Sequence, residues 1–300
     1  MGMMLKPKAL VIGGSGQIGS RLMKELESAG FEAAGTFGTH RRPGLLPLDL
    51  SSKGAVESLI ADFRPAVCVL SAAMTHVDRC EDEPALARRI NAEAPGWAAT
   101  ACRKIGARLC LLSTEYVFDG DSGPYDEAAQ PSPLSVYGKT KLEGEIRVLD
   151  EDPASLVART TVVFSWDPGG NNFLMQLRQR LGASEAMRVA SDQISTPTYA
   201  PDLARTLARL LHEEASGVWH LTGPDLLGRY DFALQACRVL GFPESLVEPV
   251  LTRDLSQRAP RPLKAGLSTG KLRARLGPAI RGVREALQDF KRLALRDVSG

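Results

Sequence analysis

A chain of 300 residues with 44% hydrophobic and 24% charged side chains has an ordinary globular composition, long enough to bury roughly 75% of its unfolded surface. Its 37 basic and 35 acidic residues leave a net charge of +2 without any extended like-charge block, which excludes the basic footprint of a nucleic-acid binder and predicts no nucleic-acid partner. No apolar run approaches the roughly 18 residues of a membrane span, and the start MGMMLKPKALVIGG is too short a run for a secretory signal.

The expectation is a cytoplasmic protein with no membrane partner. Its five cysteines, Cys68, Cys80, Cys102, Cys110 and Cys237, lack CxxC spacing and predict buried free thiols and no metal site. Along the chain, ALVIG (9–13), FEAAGTF (31–37), AVCVLSA (66–72), ARLCLLS (107–113) and SLVART (155–160) read as strands, with helical patterns over 17–29, 52–62, 84–105 and 135–150. Near-continuous apolar strands separated by helices predict a Rossmann-type, doubly wound parallel sheet, an α/β dinucleotide-binding domain over residues 1–165.

Beyond Arg159 the alternation weakens. A turn at DPGGNN is followed by a helix near 171–182, a short strand near 187–190 and a helix over 201–214. Then come GVWHLTG, with Trp219 as a core residue, a helix near 229–241, the interrupting RAPRPLKAG and a last helix around 281–295. These predict a smaller, discontinuous C-terminal substrate-binding lobe over 166–300, with a segment near 198–222 returning to the first domain.

The joint between the first strand and the first helix carries Gly13, Gly16 and Gly19 in G-x-x-G-x-x-G spacing, with Gln17 and Ile18 between the last two. Glycines there let the backbone turn tightly and approach a pyrophosphate, which the helix N-terminus stabilises; a dinucleotide site is predicted ahead of a merely tight turn. An NAD site usually has an acid at the end of the second strand, yet none lies between Glu32 and Asp49. His40, Arg41 and Arg42 stand there instead and offer guanidinium partners to a 2′-phosphate. NADP(H) is therefore expected ahead of NAD(H), although a solvated basic loop has the same composition. Asp49, with Leu50 beside it, either reaches the adenine or belongs to the cap of the following helix.

Ser113, Thr114, Glu115 and Tyr116 follow the strand at 107–113, at the carboxyl edge that faces the ligand crevice in open α/β sheets. A Gly- and Pro-punctuated loop from Asp119 to Ser135 then ends in a helix start carrying Tyr137 and Lys141, neighbours on one face at i and i+4. Such a pair is either surface decoration or an acid/base device; with the Thr114 hydroxyl it makes a donor set for a carbonyl oxygen.

The segments GGSGQIG, SAAMTHVDRCEDEPALARRINAEA, STEYVFDG, GPYDE, YGKTKLEGE, RTTVVF, NNF, DQISTPTYAPDLA and RPLKAGLSTGKL occur in this order over nearly the whole chain. Together they resemble the extended short-chain dehydrogenase/reductase family, and within it the dTDP-4-dehydrorhamnose reductase branch. The resemblance implies an NAD(P)-dependent oxidoreductase that reduces the 4-keto group of a nucleotide-linked deoxysugar, with the nucleotide sugar as partner and a homodimer as an allowed assembly. By position, Thr114, Tyr137 and Lys141 match the catalytic Ser/Thr, Tyr and Lys, and the last two also contact the cofactor. Asn91 matches the asparagine that supports the lysine, and Ala72 and Ala73 match residues lining the cofactor. In this scheme Lys141 and the oxidised nicotinamide lower the Tyr137 pKa, and Tyr137 protonates the alkoxide. A dehydratase of the superfamily needs two adjacent carboxyl groups after the threonine; Glu115 followed by Tyr116 supplies one, which disfavours elimination.

Two departures bear on the sugar. The usual tryptophan after the sixth strand is replaced in Arg159-Thr160-Thr161-Val162, and the usual glycine between Gln193 and Pro197 is absent. Tyr116, Asp192, Gln193, Thr198 and Arg261 are the candidate substrate contacts, with Arg258 and Arg261 as a bidentate diphosphate clamp; a structural turn and a solvated basic segment are the plainer readings. His76 is expected as an exposed loop residue. The resemblance leaves two alternatives open: a non-catalytic NADP-binding regulatory subunit similar to the methionine adenosyltransferase β subunit, and a sugar-nucleotide epimerase.

Overall fold

The computed structural model describes residues 6–39 and 41–298. Its first half runs β1 (Lys8–Ile12), α1 (Gly19–Ser28), β2 (Glu32–Phe37), β3 (Leu46–Pro47), α2 (Lys53–Phe63), β4 (Val67–Leu70), α3 (Val77–Asp82) and α4 (Pro84–Arg88). A π-helical turn over Arg89–Glu93 leads into α5 (Ala94–Ile105), then β5 (Arg108–Thr114), a 3-10 turn over Glu115–Val117, α6 (Val136–Glu151) and β6 (Leu156–Thr160). The second half runs β7 (Val163–Phe164), α7 (Phe173–Gly182), β8 (Met187–Ala190), β9 (Ile194–Ser195), β10 (Thr198–Tyr199), α8 (Ala200–His212) and β11 (Gly217–His220). It closes with β12 (Leu227–Gly228), α9 (Arg229–Leu240), β13 (Val247–Val250), α10 (Gly270–Leu276) and α11 (Val283–Val298).

Seven strands form one parallel sheet in the order β11-β6-β5-β4-β1-β2-β3. From β1 the chain runs outward to β2 and β3, then crosses back to β4 on the other side. Loops diverge at such a reversal and leave a crevice at the carboxyl ends of the strands. Strand residues alternate between two helical layers, as a period of two requires. Val11, Val69 and Leu112 pack with Leu22 and Leu26 of α1 and Leu203 and Leu207 of α8. Leu10, Cys68 and Leu111 pack with Val56 and Ile60 of α2, Ala98 and Cys102 of α5 and Val148 of α6.

A third cluster joins α7, α9 and α11 to the β8–β13 pair through Leu174, Val189, Phe232, Val247, Leu287 and Phe290. The strand β13 has no clear signal in the sequence: its VEPV alternates apolar with polar residues around Pro249, which has no N–H to donate. A two-stranded edge tolerates that proline. The sequence pattern predicts one continuous helix over 84–105, where the structure has three segments. Pro95 has no N–H for the carbonyl of Asn91 four residues earlier, and the π turn at Arg89–Glu93 absorbs the missing bond.

All five cysteines are buried and unpaired. No helix among the described residues is long and apolar enough to cross a membrane.

Candidate active site

The β1–α1 joint makes backbone approaches that leave no room for side chains. Gly13 holds φ +97°, and a Cβ on it would lie 2.7 Å from the Ala72 nitrogen; a Cβ on Gly19 would lie 2.1 Å from the Gly13 carbonyl oxygen. Gly16 N–H closes the turn onto that same carbonyl at 3.0 Å. Gly13 N–H donates to Thr36 Oγ1 at 3.1 Å and so ties the loop to β2. Ile18 occupies the cap position of α1 and offers no acceptor, so the first-turn N–H groups have no side-chain cap. Ala72 and Ala73 continue from β4 alongside, with Ala72 N–H on the Ile12 carbonyl at 3.0 Å.

Other predicted cofactor residues are engaged differently. Gln17 Nε2 donates to Ser165 Oγ at 2.9 Å, and the Ile18 side chain packs on the sheet-layer core. Arg41 and Arg42 are exposed on the loop after β2, while His40 lies outside the described residues. Asp49 Oδ1 accepts from Ser51 N–H at 2.9 Å and from Ser51 Oγ at 2.6 Å, so its observed contacts are those of a turn ahead of α2. Leu50 packs against the α2 side of the sheet.

At the other end of the crevice α6 is docked across the end of β5. Ser135 Oγ accepts from Gly138 N–H at 3.2 Å, and Glu81 Oε1 of α3 accepts from Val136 N–H at 2.8 Å, which satisfies two N–H groups at the helix start. A Cβ on Gly144 would lie 2.3 Å from the Asn91 carbonyl oxygen, so the helix backs directly onto the π turn. Held close, α6 turns Tyr137 and Lys141 inward, at 8% and 2% exposure. Tyr137 stands edge-on to Tyr116 with ring centroids 5.3 Å apart, and Lys141 Nζ donates to the Leu112 carbonyl at 2.6 Å. Thr114 is buried at the strand end, where its Oγ1 accepts from Tyr116 N–H at 3.2 Å. Thr114, Tyr116, Tyr137 and Lys141 are thus brought together. Asn91 Oδ1 accepts from Met74 N–H at 2.8 Å and its Nδ2 donates to Thr140 Oγ1 at 3.4 Å. It reaches α6 beside Lys141, not at the lysine itself.

Burial pushes the Tyr137 phenol well above its ordinary range, Glu115 adds to the rise, and the Thr114 hydroxyl opposes it. Burial likewise pulls Lys141 down to about 8, against the charge of Glu145 on the next helical turn. Glu145 is itself held by Arg159, whose Nη2 donates at 2.6 Å, and by the Ser113 hydroxyl. For the chain's own groups burial is the largest influence on the Tyr137 phenol and raises its pKa; the lowering expected from Lys141 together with the oxidised nicotinamide belongs to the cofactor-bound state.

The predicted substrate wall divides. Arg261 is 9% exposed at its side chain, gives Nη2 to Asp78 Oδ1 at 2.9 Å, and holds its guanidinium 6.0 Å from the Tyr116 ring centre. Its Nη1 is buried without a protein partner. Arg258 pairs with Asp82 on the surface instead of sharing a clamp with it. Asp192 Oδ1 accepts from Thr252 Oγ1 at 2.6 Å and Gln193 Nε2 donates to the same hydroxyl at 3.1 Å, contacts of a turn within the lobe. Thr198 is corrected as a substrate contact: it has no exposed surface, and its hydroxyl donates to the Thr196 carbonyl at 3.1 Å.

His76 is exposed and caps α3, its Nδ1 accepting from Arg79 N–H at 3.2 Å, while Trp219 lies in the sheet-layer core. Val162, at the position of the missing tryptophan, takes φ 40°. Sequence reasoning missed Arg229. It begins α9, is half-buried over the Phe173 ring at 5.3 Å, and its charge reaches Glu115 and Tyr116; an arginine after Gly228 carries no signal of that placement.

Comparison with known proteins places this geometry among relatives. The RmlD substrate binding domain matches residues 7–294. A dTDP-4-dehydrorhamnose reductase of Streptomyces griseus is 35% identical over 291 residues, covering 95% of this chain and 93% of that protein. The methionine adenosyltransferase 2 subunit beta of Xenopus tropicalis is 30% identical over 295 residues, covering 94% of this chain and 88% of that protein. The crystal structure of a dTDP-4-dehydrorhamnose reductase from Bacillus anthracis in complex with NADP superposes with a TM-score of 0.87 at 28% identity, covering 95% of this chain and 99% of that one.

Proposed function

The chain belongs to the RmlD substrate binding domain family, and on that premise we propose that it is an NADPH-dependent oxidoreductase reducing the 4-keto group of a nucleotide-linked deoxysugar, with Tyr137 as the proton donor. The observation that carries this reading is a buried neutral phenol, Tyr137, set with the Thr114 hydroxyl and Lys141 at one strand end in the crevice.

The tight joint at Gly13 and Gly19, opening onto the uncapped start of α1, fits the pyrophosphate of a dinucleotide, and Arg41 and Arg42 fit a 2′-phosphate. NADPH held by these residues would supply a hydride to the ketone carbon. Tyr137 gives its proton to the developing alkoxide, and Thr114 donates a hydrogen bond to the same oxygen. Lys141, pulled down to about 8, exchanges protons near neutrality one helical turn from the phenolate that must be reprotonated. The unpartnered Nη1 of Arg261 supports a contact to the substrate's diphosphate. In this reading residues 1–165 with 198–222 serve the cofactor and the rest of 166–300 serves the substrate.

The test is NADPH oxidation with dTDP-4-dehydrorhamnose and a panel of other nucleotide-linked 4-keto sugars. Turnover of one of them supports the reading. Tight NADPH binding with no oxidation on any of them favours the second reading, a regulatory subunit, for which the 30% identity to a methionine adenosyltransferase subunit speaks.

A further inference from the structure

Glu115 is a carboxyl group buried among hydroxyls. It is 6% exposed, with Oε2 2.8 Å from Thr114 Oγ1 and Oε1 2.7 Å from Thr161 Oγ1. No basic side chain among the described residues forms an ion pair with it. We propose that Glu115 works as an uncharged carboxylic acid that donates to Thr114 Oγ1 and so turns the Thr114 proton toward the substrate oxygen. It is then a positioning residue for the reduction, and this inference rests on the reductase reading above.

The donor count carries the argument. An ionised carboxylate only accepts, so Thr114 and Thr161 would both have to donate into it. Thr114 would then have no proton for a ketone or alkoxide oxygen, because its single hydroxyl proton is spent on the carboxylate and Tyr116 N–H arrives only as a donor. One proton on Oε2 closes the count. Thr161 donates to Oε1, Glu115 donates to Thr114, Tyr116 N–H fills the second lone pair of Thr114, and the Thr114 proton turns away from the carboxyl to the side of the Tyr137 phenol, its remaining partner, where the substrate oxygen would lie. No bond to Glu115 forms or breaks during turnover. The proton delivered to the substrate comes from Tyr137, and Glu115 keeps its own.

The surroundings favour the uncharged state. A carboxylate taken out of water without a paired cation is strongly destabilised. Burial is the largest influence on Glu115 and raises its pKa; Thr161 after β6, Thr114 on β5, the backbone N–H of Glu115 itself and the charge of Arg229 on α9 pull the other way. Tyr116 and Tyr137 face it from the 3-10 turn and from α6, both with their phenol pKa values raised, first by burial and then by Glu115 itself. Arg261 stands beyond the Tyr116 ring.

The experiment compares the NADP-loaded parent with Glu115→Gln and Glu115→Leu. An infrared difference spectrum of parent minus Glu115→Gln at neutral pH is expected to show the carbonyl band of one protonated carboxyl, fading as pH rises. The kcat profile of the parent on dTDP-4-dehydrorhamnose should fall on the alkaline side as Glu115 ionises. Glu115→Gln, whose Nε2 is a fixed donor, should move that fall upward by about one pH unit or more. Glu115→Leu should lose about 10²-fold in kcat, the usual effect of losing an oxyanion donor. A carboxylate band in place of the acid band, or an alkaline limb that Glu115→Gln leaves in place, overturns the proposal. An acid band in a parent that turns over no 4-keto sugar nucleotide overturns the reductase reading, and the role of Glu115 with it.

Discussion

Gly138 and Tyr116 meet backbone to backbone: a Cβ on Gly138 would stand 2.1 Å from the Tyr116 carbonyl oxygen. The helix that carries Tyr137 and Lys141 and the turn that carries Tyr116 close on each other only because no side chain separates them. Gly138→Ala should therefore push α6 outward. Alanine gains about 1 kcal/mol of helix propensity, whereas overpacking against a backbone carbonyl costs about 1–3 kcal/mol, so the variant should lose up to about 2 kcal/mol of stability. A shift of the order of an ångström in a reacting group costs about 10²-fold, and kcat should fall by that factor. Urea unfolding alongside steady-state kinetics separates the two effects; parental kcat in the alanine variant would show that the contact does not position Tyr137.

The burial of Lys141 costs stability. Burial holds its pKa near 8, below the ordinary 10.5. Between those two values the unfolded chain keeps a proton that the folded chain has released, so stability attributable to this group rises with pH across that window. Below it the folded protein carries the buried ammonium at full penalty, of order 3 kcal/mol. Lys141→Met should be inactive yet more stable than the parent at neutral pH, with the margin shrinking as pH rises through the window. Urea midpoints for the two proteins at neutral and alkaline pH check this; a margin independent of pH would contradict it.

Arg41 and Arg42 lie exposed on the loop after β2, where no acid competes for them between Glu32 and Asp49. Replacing both with alanine should weaken NADPH binding by about tenfold or more, since hydrogen bonds to charged groups contribute about 1.5–3 kcal/mol each. NADH binding should change little. Titration of both cofactors checks the contrast, and equal losses would remove the arginines from the 2′-phosphate site.

The sheet was legible because each of its main strands is a compact apolar run whose alternate residues feed two covered layers, as Leu10 and Val11 do. The glycine joint was legible because its spacing sits between such a run and a helix. Contacts between distant segments were not. VEPV pairs with β8 beneath the third cluster, and the π turn around Asn91 lies just ahead of Pro95 and against Gly144 of α6. Thr198 reads like a polar wall residue until β10 pairs with β7 and encloses it, and Arg229 acquires its place from the fold of α9 over Phe173. A hydroxyl or a guanidinium looks the same in sequence whether it faces a crevice or a carbonyl.

The central claim is that Tyr137 is the proton donor, and Tyr137→Phe tests it most directly. The ring is 8% exposed, packs edge-on against Tyr116, and would keep that packing without its oxygen. Fold and NADPH affinity should therefore match the parent. A positioned general acid contributes roughly 10² to 10⁴ in rate, about 3–5 kcal/mol of barrier, so kcat on the 4-keto sugar nucleotide should fall by that factor. A Tyr137→Phe protein that binds NADPH normally and reduces the ketone at the parental rate would contradict the account.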